Sequence, residues 1–125
     1  MSVSSYRDLR VWQAAMQLAK EVYKISARFP QREMYGMTSQ ITRAVFSIPS
    51  NIAEGHARDS RKEFLYHISI AMGSLAELET QIELSTELEF VDSKSAQAVL
   101  QLADGVGKML RGLQKTLKTK RAPSP

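Results

Sequence analysis

Residues 35–58, YGMTSQITRAVFSIPSNIAEGHAR, decide how the chain folds. At helical spacing Met37, Ile41, Ala44, Ile48 and Ile52 fall on one face, and Gln40, Arg43, Ser47, Asn51, Glu54 and Arg58 on another. The first face is apolar. The second is polar but not the usual run of Lys and Glu: Ser, Asn and Gln dominate it, groups suited to hydrogen-bonding one another. Two readings stay open for it, a hydrated face and a surface that meets something. Pro49 lies inside the pattern, where it removes one amide donor and crowds the Val45 carbonyl, at about 3 kcal/mol unless other contacts offset it. Both stripes keep their phase through Pro49, so the spacing predicts one helix, kinked there, running from between Glu33 and Thr38 to about Ala57. Gly55 and His56 are expected to begin unravelling it.

Upstream, Val11, Ala15, Leu18, Val22, Ile25 and Phe29 alternate at four and three residues, and Leu9, Trp12, Met16, Ala19 and Tyr23 form a second stripe beside them. An apolar sector that wide predicts a first helix, about 9–28, touching two neighbours, with Asp8 as its cap and Pro30 as its stop. Downstream, Ser60 and Glu63 form a serine-x-x-glutamate capping pattern and open a long third helix with the seam Phe64, Ile68, Ala71, Leu75, Leu78 and Ile82. A largely polar row, Glu63, His67, Ile70, Ser74, Glu77 and Gln81, runs along the same helix. Beside it, Gly73 and Ser74 would let another backbone approach closely. After a turn at Asp92 and Ser93, a fourth helix carries Ala96, Val99, Ala103, Val106, Leu110, Leu113 and Leu117. Four amphipathic helices with short links predict an all-α fold, an antiparallel up-down-up-down bundle forming one domain over 1–119, with a frayed tail at 120–125.

At 125 residues the chain has the size of one ordinary domain, and 43% hydrophobic with 24% charged residues suits a globular protein. No cysteine is present, which removes disulfides, thiolate zinc sites and cysteine nucleophiles together. The first residues lack the apolar core of a signal peptide, and charges interrupt every apolar run before a membrane span, so a cytoplasmic protein is expected. The net charge of +4 is unevenly spread: residues 63–92 hold seven acidic groups and no Lys or Arg, and residues 93–125 hold seven basic groups and one acidic. That division suits attraction between segments or copies, and equally a basic docking face.

Lys108, Arg111, Lys115 and Lys118 repeat along one face of the fourth helix, with Lys120 and Arg121 beyond. They form either a solvated face, favoured near a helix C-terminus by the macrodipole, or a strip for phosphates that Arg58, Arg61 and Lys62 would extend if the bundle brings them close. With no interleaved aromatics and no helix-turn-helix pattern, any binding of RNA or DNA is expected to be weakly sequence-specific. For an enzyme the chain offers little. His56 and His67 are its only histidines and sit in no metal or carboxylate motif, and phosphate-binding glycine loops and nucleophile elbows are absent. The expectation is no catalytic residue, no metal and no cofactor.

The runs LRVWQ (9–13), RFP (28–30), YGMTSQITRAVFSIPSNIAEG (35–55) and RKEFLYHISIAMGSLAELETQ (61–81) resemble the bacterial four-helix bundle proteins encoded by intervening sequences within 23S ribosomal RNA genes. The resemblance spans about residues 6–92; Met37 stands where that family more often has Leu, and the fourth helix carries none of its motifs. It implies a ring-like homopentamer and a role as a nucleic-acid-associated adaptor. The second implication comes through a similarity to the pentameric accessory variability protein of diversity-generating retroelements, which associates with a reverse transcriptase. A structural protein–protein module is the alternative. Gln40, Arg43, Asn51, Glu54, Ser74, Glu77 and Gln81 are the positions the family pattern shares with the polar rows, and they are the expected oligomer interface.

Overall fold

The computed structural model describes residues 5–119, and Lys120 and Arg121 of the basic run lie outside the described residues. Four helices, α1 (Arg10–Ser26), α2 (Met37–Ala57), α3 (Arg61–Glu87) and α4 (Ser93–Thr119), build an all-α bundle. Single 3-10 turns at Tyr6–Asp8 and Gln31–Glu33 precede α1 and α2. Each helix packs on its neighbours in sequence, and α4 closes the ring against α1; among the described residues no Cα atoms of α1 and α3, or of α2 and α4, come within 8 Å of each other.

The seams read from the sequence are the core. Leu18, Val22, Ile41, Ile48, Ile52, Ile68, Leu78, Ile82, Val99, Val106 and Leu110 are fully or almost fully buried. Leu113 and Leu117, at the far end of the α4 seam, are only partly so. Pro49 sits within α2, which continues unbroken past it. Ile48 and Ile52 on either side are wholly buried, worth about 1.5–3 kcal/mol each, enough to offset a proline's cost.

The helix ends show which local signals were decisive. Ser60 caps α3, its hydroxyl accepting from the Glu63 amide at 3.2 Å. The Asp92 carboxylate accepts from the Ser95 amide at 2.9 Å at the start of α4, and this bond holds its carboxyl below the usual carboxylate range. Glu89, with φ 64, ends α3 in a left-handed residue, so that the Glu89 and Phe90 amides donate back to the Thr86 and Ser85 carbonyls at 3.0 and 2.8 Å. The turn swings Phe90 onto Phe29, ring centres 5.7 Å apart, joining the ends of α1 and α3.

Two expectations need correction. Asp8 does not cap α1: the helix starts after Leu9 with no side-chain cap, and it is Ser5 that accepts the Arg7 amide, at 3.1 Å, in the preceding 3-10 turn. Gly55 does not loosen the end of α2 but is buried within it, because α3 presses on it there. Within the molecule no backbone approaches Gly73: nothing lies within 4 Å of the place its Cβ would occupy.

Candidate functional site

The polar rows of α2 and α3 meet each other within one molecule over part of their length. Ser47 and Ser74 join their hydroxyls at 2.8 Å across the two helices. One turn on, the Asn51 amide nitrogen donates to the Ser47 carbonyl at 2.9 Å, which leaves its oxygen facing His67 Nδ1 at 2.9 Å. An amide oxygen can only accept, so Nδ1 carries the proton of this bond. Nε2 lies 3.9 Å from the Glu54 carboxylate, which accepts from Arg58 at 3.0 Å. His67 is 6% exposed and forms a buried link between α2 and α3. Partners rise along α2 as they fall along α3, from Ser47–Ser74 to Asn51–His67.

Gly55 allows this closeness. A Cβ there would stand 2.7 Å from His67 Cβ and 3.0 Å from Phe64 Cδ1, below any ordinary contact. No periodicity of apolar residues marks such a glycine; the signal was its place on the α2 face that carries Asn51 one turn earlier.

The other end of the same rows is bonded differently. Gln40, Arg43 and Glu77 are exposed, and Gln81 reaches Glu77 only at 3.5 Å. The Gln81 side-chain amide oxygen, Oε1, is buried with no hydrogen-bond partner among the described residues. Among the described residues no ion pair joins Arg43 to Glu77.

The basic strip of α4 is exposed throughout, but its two halves differ. Lys108 is paired with Asp104 at 3.3 Å. Arg111 lies against Gly107, in a cleft shared with Glu79 and Asp104. Burial there pushes the Glu79 carboxyl up, Asp104 and Glu83 add to the rise, and Arg111 opposes it. Further along, Lys118 joins Arg61 and Lys62 of α3 around a shallow groove floored by Leu65 and Leu117. Lys115, Lys118, Arg61 and Lys62 enter no ion pair among the described residues. Arg58 is held by Glu54 and does not line that groove. The bundle therefore gathers Arg61, Lys62 and Lys118 and sets Lys108, Arg111 and Arg58 beside carboxylates.

A second groove, more apolar, opens between α1 and α2, lined by Met16, Ala19, Tyr23, Phe46 and Pro49 with Lys20, Lys24 and Ser50 at its edge. The Tyr23 and Phe46 rings stack there, centres 6.3 Å apart, and both are about half exposed. Tyr23 was visible as the end of the second α1 stripe, whereas Phe46 belongs to neither α2 face and escaped the periodicity. Among the described residues no three His, Asp or Glu side chains gather as metal ligands, and no helix is long and apolar enough to cross a membrane.

Among curated proteins, none matches the chain. A crystal structure of a protein of unknown function from the S23 ribosomal protein family of Bacteroides thetaiotaomicron has the same fold. Its TM-score is 0.76 at 24% identity, covering 84% of this chain and 98% of that one. Residues 7–112, which include all four helices' core seams up to Leu110, match the profile of 23S rRNA-intervening sequence proteins, and the chain belongs to that family.

Proposed function

We propose that this chain is a non-catalytic adaptor that holds RNA or DNA by its phosphate backbone at the end of the bundle where α3 begins and α4 finishes. The observation that carries the reading is the convergence of Arg61, Lys62 and Lys118 on one groove with no carboxylate paired to any of them among the described residues. Cations free of internal partners can exchange counterions for phosphates; those already paired, such as Lys108 and Arg58, gain less. The groove has no aromatic side chain on which a base could stack, so contact is to the backbone and weakly dependent on sequence. The similarity to the retroelement accessory protein, and the ribosomal RNA genes in which this family is encoded, agree with a nucleic-acid partner in the cytoplasm.

The test is a filter-binding titration over a salt series with an unstructured RNA and a DNA duplex of equal length. Replacing Arg61, Lys62 and Lys118 by Gln is expected to lower affinity and to flatten the salt slope by about one for each phosphate no longer neutralised. Replacing Lys108 and Arg111 should do less. Equal, unchanged titrations for both sets would remove the nucleic-acid role.

A second reading, association with further copies of the chain as in the homopentamer that the family resemblance implies, is favoured by a different observation. The aromatic groove between α1 and α2 is exposed, and Arg43 and Glu77 enter no ion pair among the described residues. Such a module need not bind nucleic acid. Its contacts are mainly apolar, so its affinity should change little with salt, opposite to a phosphate binder.

A further inference from the structure

Two apolar surfaces stay exposed among the described residues, and their charged borders are opposite in sign. The first is the α1–α2 groove, where Tyr23 is 59% and Phe46 47% exposed and Lys20 and Lys24 stand at the edge. Lys24 leans on Glu21 at 3.5 Å, while Lys20 has no ion pair among the described residues. The second is the last two turns of α3. Leu84 and Leu88, 45% and 50% exposed, lie four residues apart on one helix face, each preceded by a glutamate, Glu83 and Glu87. Neither glutamate has an ion-pair partner among the described residues, and residues 63–92 contain no Lys or Arg that could supply one locally.

We propose that a second copy of this chain seats its Leu84–Leu88 ridge in the Tyr23–Phe46 groove, with Glu83 and Glu87 facing Lys20 and Lys24. This rests on the self-association reading above and names the surfaces that perform it. Aromatic side chains in a groove are the usual anchors of an interface, and two leucines one turn apart match a groove between two helices. The charges at the border set the register and speed encounter more than they add affinity. A foreign helix would cover one of the surfaces and leave the other in water; a copy of the same chain covers both kinds at once. Because groove and ridge are different patches, the contact is heterologous and repeats head to tail, closing into a ring or running on as a filament. The unbonded end of the polar seam borders it, since Arg43 precedes Phe46 by one turn and Glu77 precedes Leu84 by two.

The experiment uses the full chain in light scattering and sedimentation. Phe46→Asp blocks the groove, and Leu84→Asp with Leu88→Asp blocks the ridge; circular dichroism checks that each variant keeps its helices. Each alone is expected to be monomeric. Mixed in equal amounts they should form a 1:1 dimer and nothing larger, because the intact ridge of one meets the intact groove of the other and both remaining surfaces are blocked. Should either variant fail to fold, a charge exchange replaces it: Lys20→Glu is expected to weaken assembly about tenfold, and adding Glu87→Lys to restore it. Unchanged assembly in the blocked variants, or in the charge exchange, overturns this interface and leaves self-association standing. Monomeric variants that stay monomeric when mixed overturn the head-to-tail contact. A native chain that is monomeric at all concentrations overturns both.

Discussion

The α2–α3 seam treats its two ends differently. Around Gly55, Ser47, Asn51, His67 and Ser74 close a run of hydrogen bonds at 2.8–2.9 Å within one molecule. Toward the start of α2 and the end of α3, Gln40, Arg43, Glu77 and Gln81 continue the same rows with one long contact of 3.5 Å and a buried, unpartnered Gln81 oxygen. The difference follows from side-chain length and backbone approach. Ser and Asn have short reach and can bond across a seam only where the helices come close, which Gly55 permits. Arg and Glu reach past the seam into water. A row that is largely polar in sequence is thus an internal fastening at one end and an exposed surface at the other.

The largest effect should come from closing off the near approach. Gly55→Val would drive a branched side chain into His67 and Phe64, and overpacking of this kind costs about 3 kcal/mol. Gly73→Ala, in open space on α3, should instead gain up to about 1 kcal/mol from helix propensity. Urea unfolding of the two variants breaks the comparison if they move in the same direction.

Next in size is the hydrogen-bonded end itself. Asn51→Leu leaves the buried His67 Nδ1–H without an acceptor and should destabilise by about 1–3 kcal/mol. Removing His67 as well, by His67→Phe in the same chain, should cost less than the sum of the single changes, because the orphaned donor is gone. Strict additivity in that cycle would mean the bond contributes nothing.

At the other end, Arg43→Ala and Glu77→Ala should shift folding stability by no more than about 0.5 kcal/mol, since neither enters an ion pair among the described residues. Both should loosen assembly, by about 2–5 kcal/mol if the contact desolvates them fully. Sedimentation showing unaltered mass on dilution would count against any role for these residues between copies.

The smallest effect lies on the α4 side of α3, where Glu79 is half-buried beside Asp104. Burial, then Asp104 and Glu83, raise its carboxyl above the usual range, so the folded state holds that proton more tightly than the unfolded chain. Its favourable contribution is therefore present below the ordinary carboxylate range and lost as pH rises through the raised value. Glu79→Gln should slightly raise the melting temperature at neutral pH and leave it unchanged in acid. A rise of equal size at both would contradict this sign.

Much of this was legible in advance, because helical periodicity is local. Every residue of the α1 seam from Val11 to Phe29 is buried, as are Ile41, Ala44, Ile48 and Ile52 of α2. The Ser60 cap and the continuity of α2 through Pro49 were equally readable. Pairing was not. That Lys108 meets Asp104 and Arg58 meets Glu54 could have been read from four-residue spacing. That Arg111 shares a cleft with Glu79, and Lys118 a groove with Arg61, depends on how α3 and α4 lie together.

By itself the sequence determined four amphipathic helices, their seams, the cap of α3 and the family, since each depends on the order of residues within a few turns or on an extended motif. Only the tertiary structure decided which polar groups face inward, that His67 is buried, that Gly55 rather than Gly73 is the point of contact, and which cations remain unpaired. Those outcomes depend on the distance and rotation between helices, quantities that no single helix carries in its own pattern.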